Sequence, residues 1–242
     1  MNFYSDFPKI LVAVDAIIFG FNENERELKL LLLKRKFPPE KGNWSLMGGF
    51  VAPDESLDKA AQRIVSQLTG LNNVYMEQLF AFGDIDRDAG GRIISVAYFS
   101  LIKINDHDSE LVKNHGASWI SVSEIPELIF DHQEIVKRAL RKLRIRARTQ
   151  PIGFELLPKK FTVPQLQRLY EAIYQIPFDK RNFRRKLLAM GLLEKQNEKE
   201  KETSKKGAFY YQFNQKKYEE LLEKGFNFDL KNQALQSNII TS

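Results

Sequence analysis

The feature that most constrains this chain is one change of hydrophobic period near residue 131. Before it, β-branched and aliphatic residues gather in short runs at 10–19, 28–33, 75–82, 92–104 and 117–122. Polar segments such as Asn22-Glu23-Asn24-Glu25 separate them, which is how strands and turns read in a sequence. One stretch in that half departs from the pattern: Leu57, Ala60, Ala61, Ile64 and Leu68 recur at helical spacing over 57–68. Strands interleaved with a helix predict an α/β or α+β domain. From residue 131 the period is helical, with Ile135, Val136, Ala139, Leu140 and Leu143 apolar and a basic opposite face, up to Pro151.

The remainder reads as helix, turn, helix and hairpin. Thr162 stands at an N-cap position with Pro164 in the first turn, and Leu166, Leu169, Tyr170 and Ile173 share one face. After a break at Pro177, Asp179 caps a second helix over 180–190 that closes on Gly191. Its Phe183, Leu187 and Met190 point inward, leaving Lys180, Arg181, Asn182, Arg184 and Arg185 on the other face. A Lys- and Glu-rich segment, 195–206, is expected to be a mobile hairpin tip, followed by an aromatic strand over 209–213. That order is the order of a winged helix.

Charge adds a partner. The chain carries 37 Lys and Arg against 31 Asp and Glu, a net charge of +6, and the excess lies in Lys137, Arg138, Arg141, Lys142, Arg144, Arg146 and Arg148, then in residues 180–186. A solvated basic helix is the ordinary meaning of such a run. Here it follows a second capped helix and precedes a Lys-rich wing, so duplex DNA is the expected partner. The candidate DNA-binding residues are Thr162, Gln165, Lys180, Arg181, Asn182, Arg184, Arg185, Lys205 and Lys206. The chain has no cysteine, which excludes disulfides and thiolate chemistry. Neither a basic, then apolar leader nor a run of about 18 apolar residues is visible, and the expected location is cytoplasmic, with no membrane partner.

The segment Trp44-Ser45-Leu46-Met47-Gly48-Gly49-Phe50, followed by Glu55, Arg63, Val65, Gly70 and Leu71, resembles the Nudix hydrolase box at matching spacing. Where that box carries its three metal-side glutamates, this chain has Ile64, Gln67 and Leu68. Divalent cations that neutralise phosphates require hard oxygen ligands. Glu55, even with the amide oxygen of Gln67, is too little charge, so the box is read as a scaffold and no metal, cofactor or catalytic residue is expected. The string Leu-Gln-Arg-Leu-Tyr-Glu-Ala-Ile and the later Asp-Lys-Arg-Asn-Phe-Arg-Arg-Lys look like the winged helix of the Nudix-related transcriptional regulators. The combined resemblance runs from about residue 9 to 226.

It implies an α+β fold, an α/β/α Nudix-like sandwich with a mixed sheet, followed by a winged helix-turn-helix domain. The expected divisions are a sensing domain over 1–130, a basic linker helix over 131–150, a DNA-binding domain over 151–228 and a frayed tail over 229–242. It further implies a homodimeric regulator, a repressor of sugar-utilisation genes, released from operator DNA when an effector enters the inactive Nudix-like domain. Lys34, Trp44, Gly48, Gly49, Glu55, Asp84, Asp86, Arg87 and Tyr98 are the candidate effector residues: carboxylates would accept sugar hydroxyls while Trp44 or Tyr98 stacks on the sugar face. Asp84, Asp86 and Arg87 equally fit a solvated loop with an internal Arg–Asp pair, and Asp88 fits it better. No cation cluster for a diphosphate is evident in the first half, which puts L-arabinose ahead of ADP-ribose, the alternative effector. An active Nudix pyrophosphatase and an RNA-binding or protein-docking winged helix are the remaining alternatives.

Overall fold

In the computed structural model, residues 6–107, 109–201, 207–226 and 228 are described. The first half runs β1 (Leu11–Asn22), β2 (Glu27–Lys34), β3 (Trp44–Ser45), β4 (Met47–Phe50), α1 (Leu57–Thr69), β5 (Glu77–Phe82), β6 (Ile93–Lys103), α2 (Ser109–Asn114), β7 (Ala117–Ser121) and α3 (His132–Thr149). The strands form one mixed sheet, ordered β3-β2-β1-β6-β5, with β4 paired to β1 and β7 to β2. β1 is the hub: it runs parallel to β6 from Leu11↔Ile93 to Phe21↔Lys103 and antiparallel to β4. A strand covered on both faces reads as a continuous apolar run, and β1 buries every residue from Val14 to Phe21.

Successive β1 side chains face opposite ways. Val14, Ala16 and Ile18 join a core with Ala60, Ala61, Ile64 and Val65 of α1, and with Val96 and Tyr98 of β6. Asp15 between them faces the other way. Helix α1 is fixed at both ends by local chemistry: Ser56 accepts a hydrogen bond from the Lys59 amide, and Gly70, at φ 75°, returns its N–H to the Ser66 carbonyl.

The second half has β8 (Phe161–Thr162), α4 (Val163–Tyr174), α5 (Lys180–Ala189), β9 (Leu193–Glu200), β10 (Ala208–Phe213) and α6 (Gln215–Glu223), its sheet ordered β8-β10-β9. A capping box, with Thr162 and Gln165 satisfying each other's backbone N–H groups, starts α4. Tyr170, Phe178, Phe183 and Leu187 are buried between the two central helices, and Phe178 stacks on Phe183 at 5.7 Å. Gln167 and Glu171 hold the turn, through the Phe178 carbonyl at 3.1 Å and the Phe178 amide at 2.8 Å.

Two expectations change. The segment 195–206 is not a mobile tip throughout: Leu193–Glu200 is a strand, paired to β10 from Leu193↔Phe213 to Glu200↔Ala208. Its charged sequence hides it, because ordering comes from the aromatic partner strand: the Lys195 and Lys199 ammonium groups sit 3.7 and 4.4 Å from the Phe209 ring centre. The basic face of α3 is also not uniformly solvated. Arg144 donates to the Ile173 carbonyl at 3.3 Å and to Gln175 at 2.9 Å, at the end of α4, and burial pulls its pKa below the usual arginine value.

The chain divides into two compact units, one up to Asn22 with Lys29–Ala139, the other Glu23–Leu28 with the chain from Leu140 onward. The division falls inside α3, so that one helix belongs to both. The expected tail, 229–242, lies outside the described residues. Among the described residues no helix is long and apolar enough to cross a membrane.

Candidate effector cavity and nucleic-acid interface

A cavity of about 150 Å³ opens in the first unit, lined among others by Asp15, Arg35, Lys36, Phe37, Gly48, Gly49, Arg87, His115, Phe130 and His132. Asp15, only 5 % exposed, accepts a hydrogen bond from Ser95 Oγ at 2.6 Å and one from Arg87 at 3.3 Å. Arg87 is in turn bidentate to Asp131, through Nε at 2.8 Å and a terminal nitrogen at 2.7 Å. Burial opposes the charge on Arg87, but the hydrogen bonds to Asp131 and the nearby Asp15 outweigh it and raise its pKa. An unpaired buried guanidinium would cost several kcal/mol; two carboxylates hold this one.

His132, the first residue of α3, completes the floor. Its Nδ1 accepts from the Leu46 amide at 3.1 Å, which leaves the proton of the neutral ring on Nε2, 3.6 Å from Asp15 Oδ1. Burial pushes the imidazole pKa down against the pull of Asp15 and Asp131, with Arg87 and Arg35 acting in the same direction as burial, so the ring is neutral near pH 7. At the rim, Arg35 lies 4.3 Å from the Phe37 ring centre and 5.3 Å from that of Phe130. Gly48 is required by closeness: a Cβ there would collide with Asp15 Oδ1.

The box residues are bound into the scaffold. Arg63 donates to both carboxylate oxygens of Glu55, to the Phe50 carbonyl at 3.0 Å and to Gln67 Oε1 at 3.2 Å. The Gln67 oxygen that could have joined Glu55 on a metal therefore faces Arg63. Ile64 is buried under Gly49, and Leu68 lines the cavity. Among the described residues no group of three or more His, Cys, Asp or Glu is arranged to hold a metal ion.

In the second unit, α5 presents Lys180, Arg181, Arg184 and Arg185 to solvent. Asp179 caps the helix through the Asn182 amide at 2.7 Å. Arg184 donates to the Tyr211 hydroxyl at 3.2 Å, and Arg185 to Asn182 Oδ1 at 3.0 Å. Cations in the first turn oppose the helix dipole, an unfavourable placement in isolation and a favourable one against phosphate.

The Nudix domain model matches residues 9–143 and the NrtR DNA-binding winged helix domain matches residues 153–213. An ADP-ribose-responsive transcriptional repressor of Acinetobacter baylyi is 31% identical over 228 residues, which span 93% of this chain and 88% of that protein. The chain belongs to the NrtR family. Like its relatives it is a DNA-binding transcriptional regulator built on a Nudix-like domain. Shewanella oneidensis NrtR, crystallised with a 27mer DNA, superimposes with a TM-score of 0.70 at 29% identity, over 84% of this chain and 93% of that one. The Nudix domain of the same protein, crystallised with ADP-ribose, gives a TM-score of 0.50 at 31% identity, over 57% and 90%.

Of the effector residues expected from sequence, this NrtR-family cavity gathers Gly48, Gly49 and Arg87. The others lie elsewhere. Tyr98 is 2 % exposed and gives its hydroxyl to Asp58 at 2.6 Å, burial raising its pKa to about 12; it packs in the α1 core rather than facing a ligand. Trp44 carries the Lys34 ammonium 5.3 Å from its ring centre and is bridged to Leu128, Glu55 is held by Arg63, and Asp84 and Asp86 are exposed outside the cavity lining. Asp88, assigned to solvent, lines it. Arg35, Lys36, His115, Phe37, Phe130, Asp15 and His132 were missed, because the fold collects them from separate segments. The expected absence of a cation cluster is overturned: Arg35, Lys36 and Arg87 share one cavity.

On the NrtR-like winged helix, Lys180, Arg181, Arg184 and Arg185 are exposed as expected, with Asn182 half-buried. Thr162 is corrected: at 3 % exposure its hydroxyl caps α4. The Gln165 side chain completes that box and donates to Glu23 at 3.0 Å. Lys205 and Lys206 lie outside the described residues.

Proposed function

We propose that this chain is a transcriptional repressor released from operator DNA by ADP-ribose, acting as a homodimer and without hydrolysing its effector. The carrying observation is the cavity whose lining brings Arg35, Lys36 and Arg87 together with Phe37 and Phe130. Guanidinium and ammonium groups form charge-assisted hydrogen bonds to a diphosphate that an uncharged pentose cannot match; aromatic faces suit a nucleobase. Arabinose loses its main support with the cation cluster. The ADP-ribose-responsive repressor of A. baylyi and the Nudix domain of S. oneidensis NrtR, crystallised with ADP-ribose, support the same choice.

The absence of hydrolysis rests on Ile64, Gln67 and Leu68, which offer a cation no carboxylate. On the DNA side, Arg181 and Arg185 suit bidentate bonds to guanine edges, and Lys180 and Arg184 suit phosphates.

The test is binding of the full chain to promoter fragments from its own genome, with ADP-ribose or L-arabinose added, beside a hydrolysis assay with Mg²⁺ or Mn²⁺. Release by ADP-ribose without turnover is expected. Release by arabinose alone, or turnover without specific DNA binding, overturns the proposal.

A further inference from the structure

The cation placed deepest in the cavity is already occupied. Arg87 lines the cavity wall, yet its bonds to Asp131, at 2.7 and 2.8 Å, engage the Nε–Nη2 edge of the guanidinium, one of the edges that could grip a phosphate. The side chain of Asp131 faces Arg87, while its backbone carbonyl accepts from the Ile135 amide at 3.1 Å and the Glu134 amide at 2.9 Å, the opening bonds of α3. Arg87 itself stands in the loop between β5 and β6, whose neck is closed by Arg92 donating to the Gly83 and Asp84 carbonyls. One guanidinium thus ties a loop of the cavity to the start of the helix that carries the chain into the DNA-binding unit.

We propose that Asp131 is a built-in competitor of the effector's phosphate at Arg87, and that displacing it loosens the first turn of α3. This rests on the reading of the effector as an anionic nucleotide sugar. A bidentate guanidinium cannot serve a carboxylate and a phosphate with the same two N–H groups. A phosphate seated on the Nε–Nη2 edge and the Arg87–Asp131 pair therefore exclude one another. If the operator-bound state keeps the pair, whatever weakens the pair favours effector and disfavours DNA, and linkage requires effector and DNA to lower each other's affinity by one common factor. Asp131 sets both affinities without touching either ligand.

The experiment is calorimetric titration of the full chain with ADP-ribose and measurement of operator affinity without effector, for wild type, Asp131→Asn and Asp86→Asn. The Asp86 variant is the control: it removes a carboxylate from the same loop at an exposed position outside the cavity lining. Asp131→Asn should tighten ADP-ribose by on the order of tenfold and weaken operator binding, with Asp86→Asn changing either by less than about threefold. Arg87→Lys, which keeps the charge and loses the fork, should bind ADP-ribose roughly tenfold more weakly, and it decides the matter if Asp131→Asn fails to fold. Wild type that ignores ADP-ribose overturns the effector reading, and the exchange falls with it. Wild-type binding with no gain in Asp131→Asn, an equal gain in Asp86→Asn, unchanged operator affinity in Asp131→Asn, or Arg87→Lys that binds like wild type overturns the exchange alone.

Discussion

Glu55 receives both arms of the Arg63 guanidinium, Nε at 2.9 Å on one carboxylate oxygen and a terminal nitrogen at 2.5 Å on the other. The carboxylate of the box is thus committed to Arg63 of α1, and the metal-side positions 64, 67 and 68 carry none. Millimolar Mg²⁺ or Mn²⁺ should therefore shift the melting temperature by less than about 1 °C, because a protein that binds no cation gains no ligation free energy. Scanning fluorimetry with and without metal checks this, and a rise of several degrees contradicts it.

The same pair resists acid. Hydrogen bonding from Arg63, then from the Ala52 amide, lowers the Glu55 pKa from 4.5 to about 2. A carboxyl whose folded pKa is depressed contributes stability above its unfolded value and loses it as pH falls toward the folded value. The Glu55–Arg63 tie should persist at pH 4 and be lost only as pH falls through about 2; carboxyl NMR titration of Glu55 reads it directly.

His132 gives the opposite sensitivity near neutrality. Burial lowers its pKa from the ordinary imidazole value of about 6.5, so the unfolded chain takes up a proton as pH falls below that value while the folded ring stays neutral. Stability is full above about pH 6.5 and declines below it, by at most about 1.4 kcal/mol per pH unit for one proton. Urea melts at pH 7.5 and 5.5 should show this decline in wild type and a smaller one in His132→Gln.

Gly48→Ala should destabilise the first unit by roughly 1–3 kcal/mol through overpacking, since the added methyl meets the buried Asp15 carboxylate. Denaturant melts compare it with Gly83→Ala, where a Cβ would meet only Ile94, at an ordinary 3.7 Å.

In the winged helix, two kinds of residue separate. Thr162→Ala removes a cap and should lower stability by about 1 kcal/mol, whereas Arg181→Ala or Arg185→Ala should leave the melt unchanged and weaken operator binding by roughly 1–3 kcal/mol. Arg144→Ala belongs with the first kind, losing the bonds to Ile173 and Gln175, about 1.5–3 kcal/mol for charge-assisted hydrogen bonds. Melts and DNA titrations on the same variants distinguish them.

What the sequence by itself determined is whatever neighbouring residues decide. Alternation and helical period located β1, β6, α1, α4 and α5, and caps such as Thr162 and Asp179 marked where helices start, because these signals lie within a turn or two of chain. Short strands β3 and β4 and the charged β9 carry too little pattern of their own and depend on partner strands. The missing metal ligands at Ile64, Gln67 and Leu68 were legible because a motif has fixed spacing on one helix. The cavity had no such local spacing: Asp15, Arg35, Arg87, His115 and His132 come from five separate segments, and only the tertiary fold makes them neighbours. It also withdrew Tyr98 and Thr162 from ligand contact by burying them among hydrogen-bond partners. Electrostatic interaction depends on distance through space, and that is why the effector preference turned once the fold had gathered the charges.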